Sequence, residues 1–230
     1  LYFKTESYNK VFTTMKLLIT GGLGHIGSYL IRDLPSRLIN TEITIIDNLV
    51  TQRFGSLFNL SNNSKYKFIE GDITEINLKE ITKGFDVVIH LAAITDAASS
   101  FDNPEIVEKN NFESTKKVVE ACQFNNVKLI ALSSTSVYGT QKDLVSEDCD
   151  VEDLSPQSPY AITKLKEEEF ILSFSKNKTL NSVILRFGTI FGISQGIRFH
   201  TAVNKFCWQA SMGLPITVWE TAYDQKRPYL

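Results

Sequence analysis

The sequence predicts an α/β fold built on a doubly wound parallel sheet, and three observations carry that expectation. Short β-branched runs, most of them too apolar to keep one face in water, alternate with helical segments through most of the 230 residues; this is the pattern of βαβ units whose sheet is covered on both faces. The first run passes directly into a glycine-rich loop, TGGLGHIG at 20–27, that opens a helix. An aspartate, Asp47, closes the next run about 20 residues further on. Right-handed crossovers then leave the doubly wound sheet as the natural topology.

Taken in order, residues 1–14 (LYFKTESYNKVFTT) lack the positive-then-apolar pattern of a secretion signal and read as a leader or extension. Strand 16–20 (KLLIT) feeds the glycine loop and a helix over 26–34, which Pro35 is expected to stop. Strands follow at 42–47 (EITIID), 66–70 (YKFIE) and 86–91 (DVVIHL), then a long amphipathic helix over 104–124 with proline in its first turn. After strand 127–133 (VKLIALS), the acidic, proline-bearing stretch around 146–159 reads as a surface loop. A helix over 158–175 comes next, with 166–169 (KEEE) as its polar, solvated face, and strand 182–187 (SVILRF) completes the alternation. Beyond Phe187 the pattern changes to a glycine-punctuated loop (187–196), a helical stretch at 199–212 and a short strand at 215–219. The expected division is a nucleotide-binding domain over 15–187 and a small, partial substrate lobe over 188–230.

Composition narrows the function. Hydrophobic residues make up 43% and charged residues 22%, and 24 basic residues stand against 26 acidic ones, so no surface for a polyanion such as nucleic acid is expected. No apolar run reaches the roughly 18 residues that read as a membrane span. Cys122, Cys149 and Cys207 are odd in number and make no CxxC pair, which points to a reducing, cytoplasmic setting rather than a disulfide frame or zinc site. His25, His90 and His200 lie far apart with no acidic partner at ligand spacing, so no metal is expected.

The glycine loop carries the first chemical signal. Gly21, Gly24 and Gly27 allow a tight turn, close approach of backbone N–H groups to a pyrophosphate, and close packing of helix on strand, while the helix N-terminus at His25 and Ile26 adds partial positive charge. His25 itself is expected to pack. A carboxylate at Asp47 accepts hydrogen bonds from an adenosine ribose and repels a 2′-phosphate, which favours NAD over NADP; the alternative is a simple turn cap. Arg53 is the feature that reopens the NADP option.

The second signal is Tyr160 and Lys164, one helical turn apart in PYAITK (159–164), so both emerge on one face. A neighbouring ammonium favours the phenolate of a tyrosine, which is otherwise a poor base at neutral pH. The bland alternative is an amphipathic helix surface. Upstream, the strand ends in hydroxyls at Ser133, Ser134, Thr135 and Ser136, at the carboxyl edge where doubly wound sheets bind ligands, although such a cluster also caps turns.

These features together resemble the extended short-chain dehydrogenase/reductase family, in its NAD-dependent nucleotide-sugar epimerase/dehydratase branch with a Rossmann fold. The resemblance runs from Met15 to about Leu230 and rests on TGGLGHIGSYL (20–30), Asp47-Asn48-Leu49, Gly71-Asp72-Ile73, His90-Leu91-Ala92-Ala93, Asn111, SSTSVYG (133–139), PYAITK (159–164) and RFGTIFG (186–192). It implies that Asp72 and Ile73 flank the adenine of the cofactor, that Leu91, Ala92 and Ala93 line the nicotinamide side, that Asn48 and Asn111 also bind the cofactor, and that Lys164 binds the nicotinamide ribose. It further implies Tyr160 as the base that takes a proton from a sugar hydroxyl as hydride leaves the same carbon, and Ser134, with its neighbour Thr135 as second choice, as the group that hydrogen-bonds the reacting oxygen. A keto-sugar that turns over before reduction would give 4-epimerisation.

Related 4,6-dehydratases carry Asp-Glu just before the VYG-like tripeptide, and decarboxylating relatives often carry Glu there. Thr135 and Ser136 occupy those positions here, so epimerisation is the leading expectation, with a simple reductase or dehydrogenase second and a non-catalytic NAD-binding relative third. Substrate contacts implied by the resemblance are Thr135, Thr189 (where many relatives have Asn), Asn204 and Arg227. For Asn204 a buried polar helix residue is an equal alternative, and for Arg227 a solvated cation. The 104–124 and 158–175 helices would form a homodimer face. Relatives of this kind are usually longer, and the rest of the substrate lobe is expected after Leu230.

Overall fold

All six expected runs form strands: β1 (Met15–Thr20), β2 (Thr41–Asp47), β3 (Ser64–Glu70), β4 (Val87–His90), β5 (Lys128–Ser134) and β6 (Ser182–Phe187). They join in one parallel sheet of order β3-β2-β1-β4-β5-β6, the doubly wound order of dinucleotide-binding sheets. The computed structural model describes residues 14–95, 99–139, 145–147, 149–218, 220 and 228–230. Strand order reverses between β1 and β4, so a crevice opens beyond their carboxyl ends, where Thr20 of β1 stands beside His90 of β4.

The helices are α1 (His25–Arg37), α2 (Leu78–Ile81), α3 (Pro104–Asn125), α4 (Pro159–Lys176) and α5 (Ala202–Ser211). Alternate strand residues feed two cores. Leu18, Ile46, Val88 and Leu129 meet Val118, Val119, Cys122 and Ile171 of α3 and α4, while Leu17, Ile19, Ile43 and Ile45 meet Ile31 of α1. The interior strands are as apolar on both faces as expected. The edge strands β3 and β6 alternate instead, and β6 leaves Val183 and Leu185 38% and 37% exposed on the face turned away from α4.

Three local expectations are corrected. Pro35 does not stop α1, which runs on to Arg37. A proline leaves the carbonyl four residues earlier without its N–H partner, and the Tyr66 hydroxyl of β3 donates to that carbonyl, Ile31 O, at 2.8 Å. Residues 166–169 are not one solvated face: Lys166 and Glu169 are exposed, but Glu167 and Glu168 are only 4% and 3% exposed, because α4 packs its flank on α3 and the sheet. Residues 214–218 form no strand; the Gln209 side chain accepts from Thr217 N–H and donates to Thr217 Oγ1, so that backbone is satisfied without a sheet. Among the described residues no helix is long and apolar enough to cross a membrane, and no cluster of His, Cys, Asp or Glu could hold a metal ion.

Candidate active site

The turn after β1 has the shape its glycines suggest. Gly21 sits at φ +64°, and a Cβ there would lie 2.6 Å from the backbone nitrogen of Ala92; a Cβ on Gly27 would lie 2.6 Å from Gly22 Cα. The loop therefore presses against the segment after β4 on one side and the first turn of α1 on the other. Gly24 precedes the first residue of α1, whose free N–H groups face the crevice end of the sheet. This glycine-lined cradle, which side chains would fill, fits the pyrophosphate of a dinucleotide.

Asp47 ends β2 and accepts N–H bonds from Leu23 at 3.1 Å and Leu49 at 3.0 Å, one on each carboxylate oxygen. It thus caps the turn and ties β2 to the glycine loop, and each oxygen keeps a lone pair for a ribose hydroxyl. Arg53 is half-buried close enough to Asp47 and His25 for their charges to interact. Asn48 donates to Asp72 at 2.9 Å, and Asp72 also accepts from the backbone and hydroxyl of Thr74. Those bonds, the Thr74 hydroxyl first, hold the Asp72 carboxyl below its ordinary range. Ile73 turns its side chain into the core, leaving only its backbone toward the crevice.

On the other side of the crevice, Leu91, Ala92 and Ala93 follow β4 and are half-buried. Asn111 of α3 holds this segment: its amide accepts from Ile94 N–H at 2.8 Å and donates to Ile94 O at 2.9 Å. Asn111 thereby fixes the backbone of the segment that follows β4.

Tyr160 and Lys164, the expected catalytic pair, stand at the start of α4. Ser158 caps the helix through a bond from Ala161 N–H at 3.1 Å, and Pro159 fills its first turn, so Tyr160 and Lys164 face inward one turn apart. Against α4 packs the short turn Thr135–Tyr138 that follows β5. Ser134 heads that turn, accepting from Ser136 N–H and Ser136 Oγ, which leaves its own proton for another acceptor. Burial raises the Tyr160 phenol above its ordinary value despite the opposing charges of Lys164 and Arg198. The ammonium favours the phenolate as expected, and desolvation is the larger effect in this structure.

A buried polar chain, not anticipated from the sequence, runs behind the pair. Lys164 Nζ donates to Glu167 Oε2 at 2.9 Å, and Thr115 Oγ1 donates to the same oxygen at 2.9 Å. His90 Nε2 lies 3.2 Å from Thr115 Oγ1, and His90 Nδ1 lies 2.7 Å from Thr20 Oγ1. Burial pushes His90 down to about 3, so the ring is neutral. Below this, Glu168 receives Arg186 from β6 through both carboxylate oxygens, and Arg186 Nη1 donates to Tyr138 Oη at 2.9 Å, which anchors the turn that carries Ser134.

The loop after β6 closes the crevice. His25 Nε2 bonds Gly192 O at 2.9 Å, and burial lowers the ring's affinity for a second proton, so His25 is a neutral donor that packs. Gly196 N–H donates to Ser28 Oγ at 2.8 Å. Asn204 of α5, expected at the substrate, is spent on this loop: it accepts from Gly192 N–H and donates to Arg198 O. Asn204 is only 5% exposed there. Thr189 pairs its backbone with Pro228 and Leu230, which brings the end of the chain against the loop. Arg227 and Trp219 lie outside the described residues. Arg198, which no motif marked, bonds Thr95 and His200 and lies close enough to Tyr160 for its charge to act there.

Known proteins resemble this chain in sequence and fold. An uncharacterized UDP-glucose epimerase of Bacillus subtilis is 32% identical over 212 residues, which are 89% of this chain and 65% of that protein. A trifunctional UDP-glucose 4,6-dehydratase/UDP-4-keto-6-deoxy-D-glucose 3,5-epimerase/UDP-4-keto-L-rhamnose-reductase of Arabidopsis thaliana is 30% identical over 80% of this chain and 29% of its own length. Among solved structures, the UDP-glucuronic acid 4-epimerase of Bacillus cereus in complex with UDP-glucuronic acid and NAD superposes with a TM-score of 0.82 at 31% identity, covering 94% of this chain and 68% of that one. The chain thus spans about two thirds of the length of the first relative and less than a third of the second. With the glycine cradle, the β2 aspartate and the Tyr160–Lys164 pair in place, and with residues 17–230 matching its family model, the chain belongs to the NAD dependent epimerase/dehydratase family.

Proposed function

We propose that the chain carries the cofactor-binding and proton-transfer residues of an NAD-dependent 4-epimerase of nucleotide-diphosphate sugars. The observation that carries the reading is the pairing of Tyr160 and Lys164 on one helix face with Ser134 on the turn packed against it, while the adjacent positions hold the hydroxyls of Thr135 and Ser136. Elimination or decarboxylation needs a carboxylate at that point to move protons at neighbouring carbons, and no carboxylate is there.

In this reading Gly21, Gly24, Gly27 and Asp47 hold NAD, with Lys164 on its nicotinamide ribose; the bound nicotinamide supplies reversible hydride acceptance at the sugar carbon. Tyr160 takes the hydroxyl proton at that carbon and returns it to the same oxygen once the keto-sugar has turned to take hydride on its other face. Ser134 donates to the oxygen as it becomes a carbonyl, and Lys164 favours the phenolate. Substrate contacts are proposed at Thr135, Thr189 and Arg227. A homodimer through α3 and α4 is supported by the exposure of Ile106, Ile162 and Leu172 on those helices, and the free thiols of Cys122, Cys149 and Cys207 fit the cytoplasm.

Incubation with UDP-sugars and NAD is expected to interconvert C4 epimers with no net NADH. Stoichiometric NADH release would overturn the epimerase in favour of a dehydrogenase or reductase. Tyr160→Phe is expected to lower turnover by about 10²–10⁴-fold, the usual share of general acid–base catalysis; unchanged turnover would remove Tyr160 from the mechanism.

A further inference from the structure

Glu167 is the buried group that the proposed mechanism does not use. It stands one turn after Lys164 on α4, and the two side chains are only 5% and 7% exposed. A buried ion pair is a weak source of stability, because desolvating both partners offsets most of their attraction. Its geometry points elsewhere. Oε2 takes both Lys164 Nζ and Thr115 Oγ1, while Oε1 has no partner among the described residues, so the carboxylate bonds through one oxygen, to the ammonium on one side and to Thr115 on the other.

The hydrogen-bond directions behind Glu167 are fixed. Since Thr115 gives its proton to Glu167, its oxygen accepts from His90 Nε2–H; His90 Nδ1 then accepts from Thr20 Oγ1, which itself receives the N–H groups of Leu91 and Ala92. The chain runs without a break from the nicotinamide side of the crevice to the carboxylate, and it holds Oε2 in place.

Tyr160 and Lys164 share a desolvated site, so their titrations are coupled and the first proton can leave either one. Lys164 on its own helix and Arg198 on the loop after β6 favour the Tyr160 phenolate, while the charge of Glu167 opposes it directly; the groups that act on Lys164 are Glu167, which also bonds it, Glu168 and Tyr160, with neutral His90 of β4 beside it. Losing the proton from the phenol leaves phenolate and ammonium; losing it from Lys164 leaves phenol and amine, which is useless as a base. Burial favours the second, uncharged pair. A carboxylate 2.9 Å from Nζ favours the first.

We propose that Glu167 is a positioning residue that keeps the proton on Lys164, so that Tyr160 is the group that gives up its proton and becomes the base, a role that rests on the epimerase reading above. Glu167 touches neither sugar nor reacting atoms in this scheme. It decides which of two neighbours ionises.

The test is an ultraviolet titration of the Tyr160 phenolate, taken as the difference between each protein and the same protein carrying Tyr160→Phe, with and without NAD. In Glu167→Gln, which keeps an oxygen for Thr115, Lys164 is expected to lose its proton first, so that phenolate forms beside a neutral amine and appears about 1 pH unit higher; the direct effect of the lost carboxylate alone would move it down. The acid limb of kcat should move with it and KM should not. Glu167→Asp keeps the charge but withdraws it by one methylene, and its shift should be upward and smaller; it serves alone if the glutamine variant does not fold. A phenolate titration that stays in place or moves down in a folded variant overturns the proposal. Because the titration needs no sugar, it separates the two ideas: an upward shift in a protein that epimerises nothing would keep Glu167's role and discard the epimerase.

Discussion

Gly21 shows how much a single residue can decide at this site. Its positive φ is open to glycine and costly for other residues, and an added Cβ would meet the backbone of Ala92 and not a yielding side chain. Gly21→Ala is therefore expected to push the 91–95 segment away from the loop and weaken NAD binding by at least tenfold in calorimetric titration, a cost of about 1.4 kcal/mol; unchanged affinity would mean that the cradle does not hold the pyrophosphate. Glycine roles of this kind are legible in a sequence because they depend on local backbone shape. The partners of Asn111 and Asn204 were not, since each amide bonds a backbone group that only the folded chain brings near: Ile94 for one, Gly192 and Arg198 for the other. Thr20, Thr115 and Glu167 come from three elements well separated along the chain, and no spacing rule could have joined them.

At the scale of the element, α1 and α4 departed from expectation for opposite reasons. In α1 a helix breaker is tolerated because β3 supplies a substitute donor, Tyr66, for the carbonyl that Pro35 orphans. A double-mutant cycle checks this: Tyr66→Phe should cost about 1 kcal/mol of unfolding free energy in the native background and less in Pro35→Ala, where the N–H restored by the substitution can serve Ile31. Equal costs in both backgrounds would show that Tyr66 acts by packing alone. In α4 a run of charges that reads as solvated is split by helix geometry, which sends Lys166 and Glu169 outward and Glu167 and Glu168 inward toward Lys164 and Arg186. Helix ends were more legible than helix faces: Ser158 with Pro159 and Pro104 marked true starts, because caps are local.

For the molecule as a whole, alternation of buried strands and helices was enough to anticipate a parallel doubly wound sheet, while the half-exposed character of β3 and β6 followed from their places at the edges, which no run of residues states. Stability should carry the mark of the neutral imidazole at its centre. His90 binds its proton at about 3 in the folded chain against about 6.5 when unfolded. Between those values the unfolded chain holds more protons, so unfolding free energy falls as pH drops through that window. Denaturant midpoints compared at pH 7 and pH 5 should show a steeper acid loss in the native chain than in His90→Gln, and parallel losses would mean that other groups dominate.

Two contacts described above reach across the crevice: His25 to Gly192 O, and Gly196 N–H to Ser28 Oγ. They fasten the loop that would face the sugar nucleotide to the loop that would face the cofactor pyrophosphate. A ligand that orders one loop then lowers the entropic cost of ordering the other, and thermodynamic linkage makes the benefit mutual. Cofactor and sugar nucleotide would each tighten the other's hold by the same factor, so the resident dinucleotide would be least able to escape while a keto-sugar is waiting to be reduced.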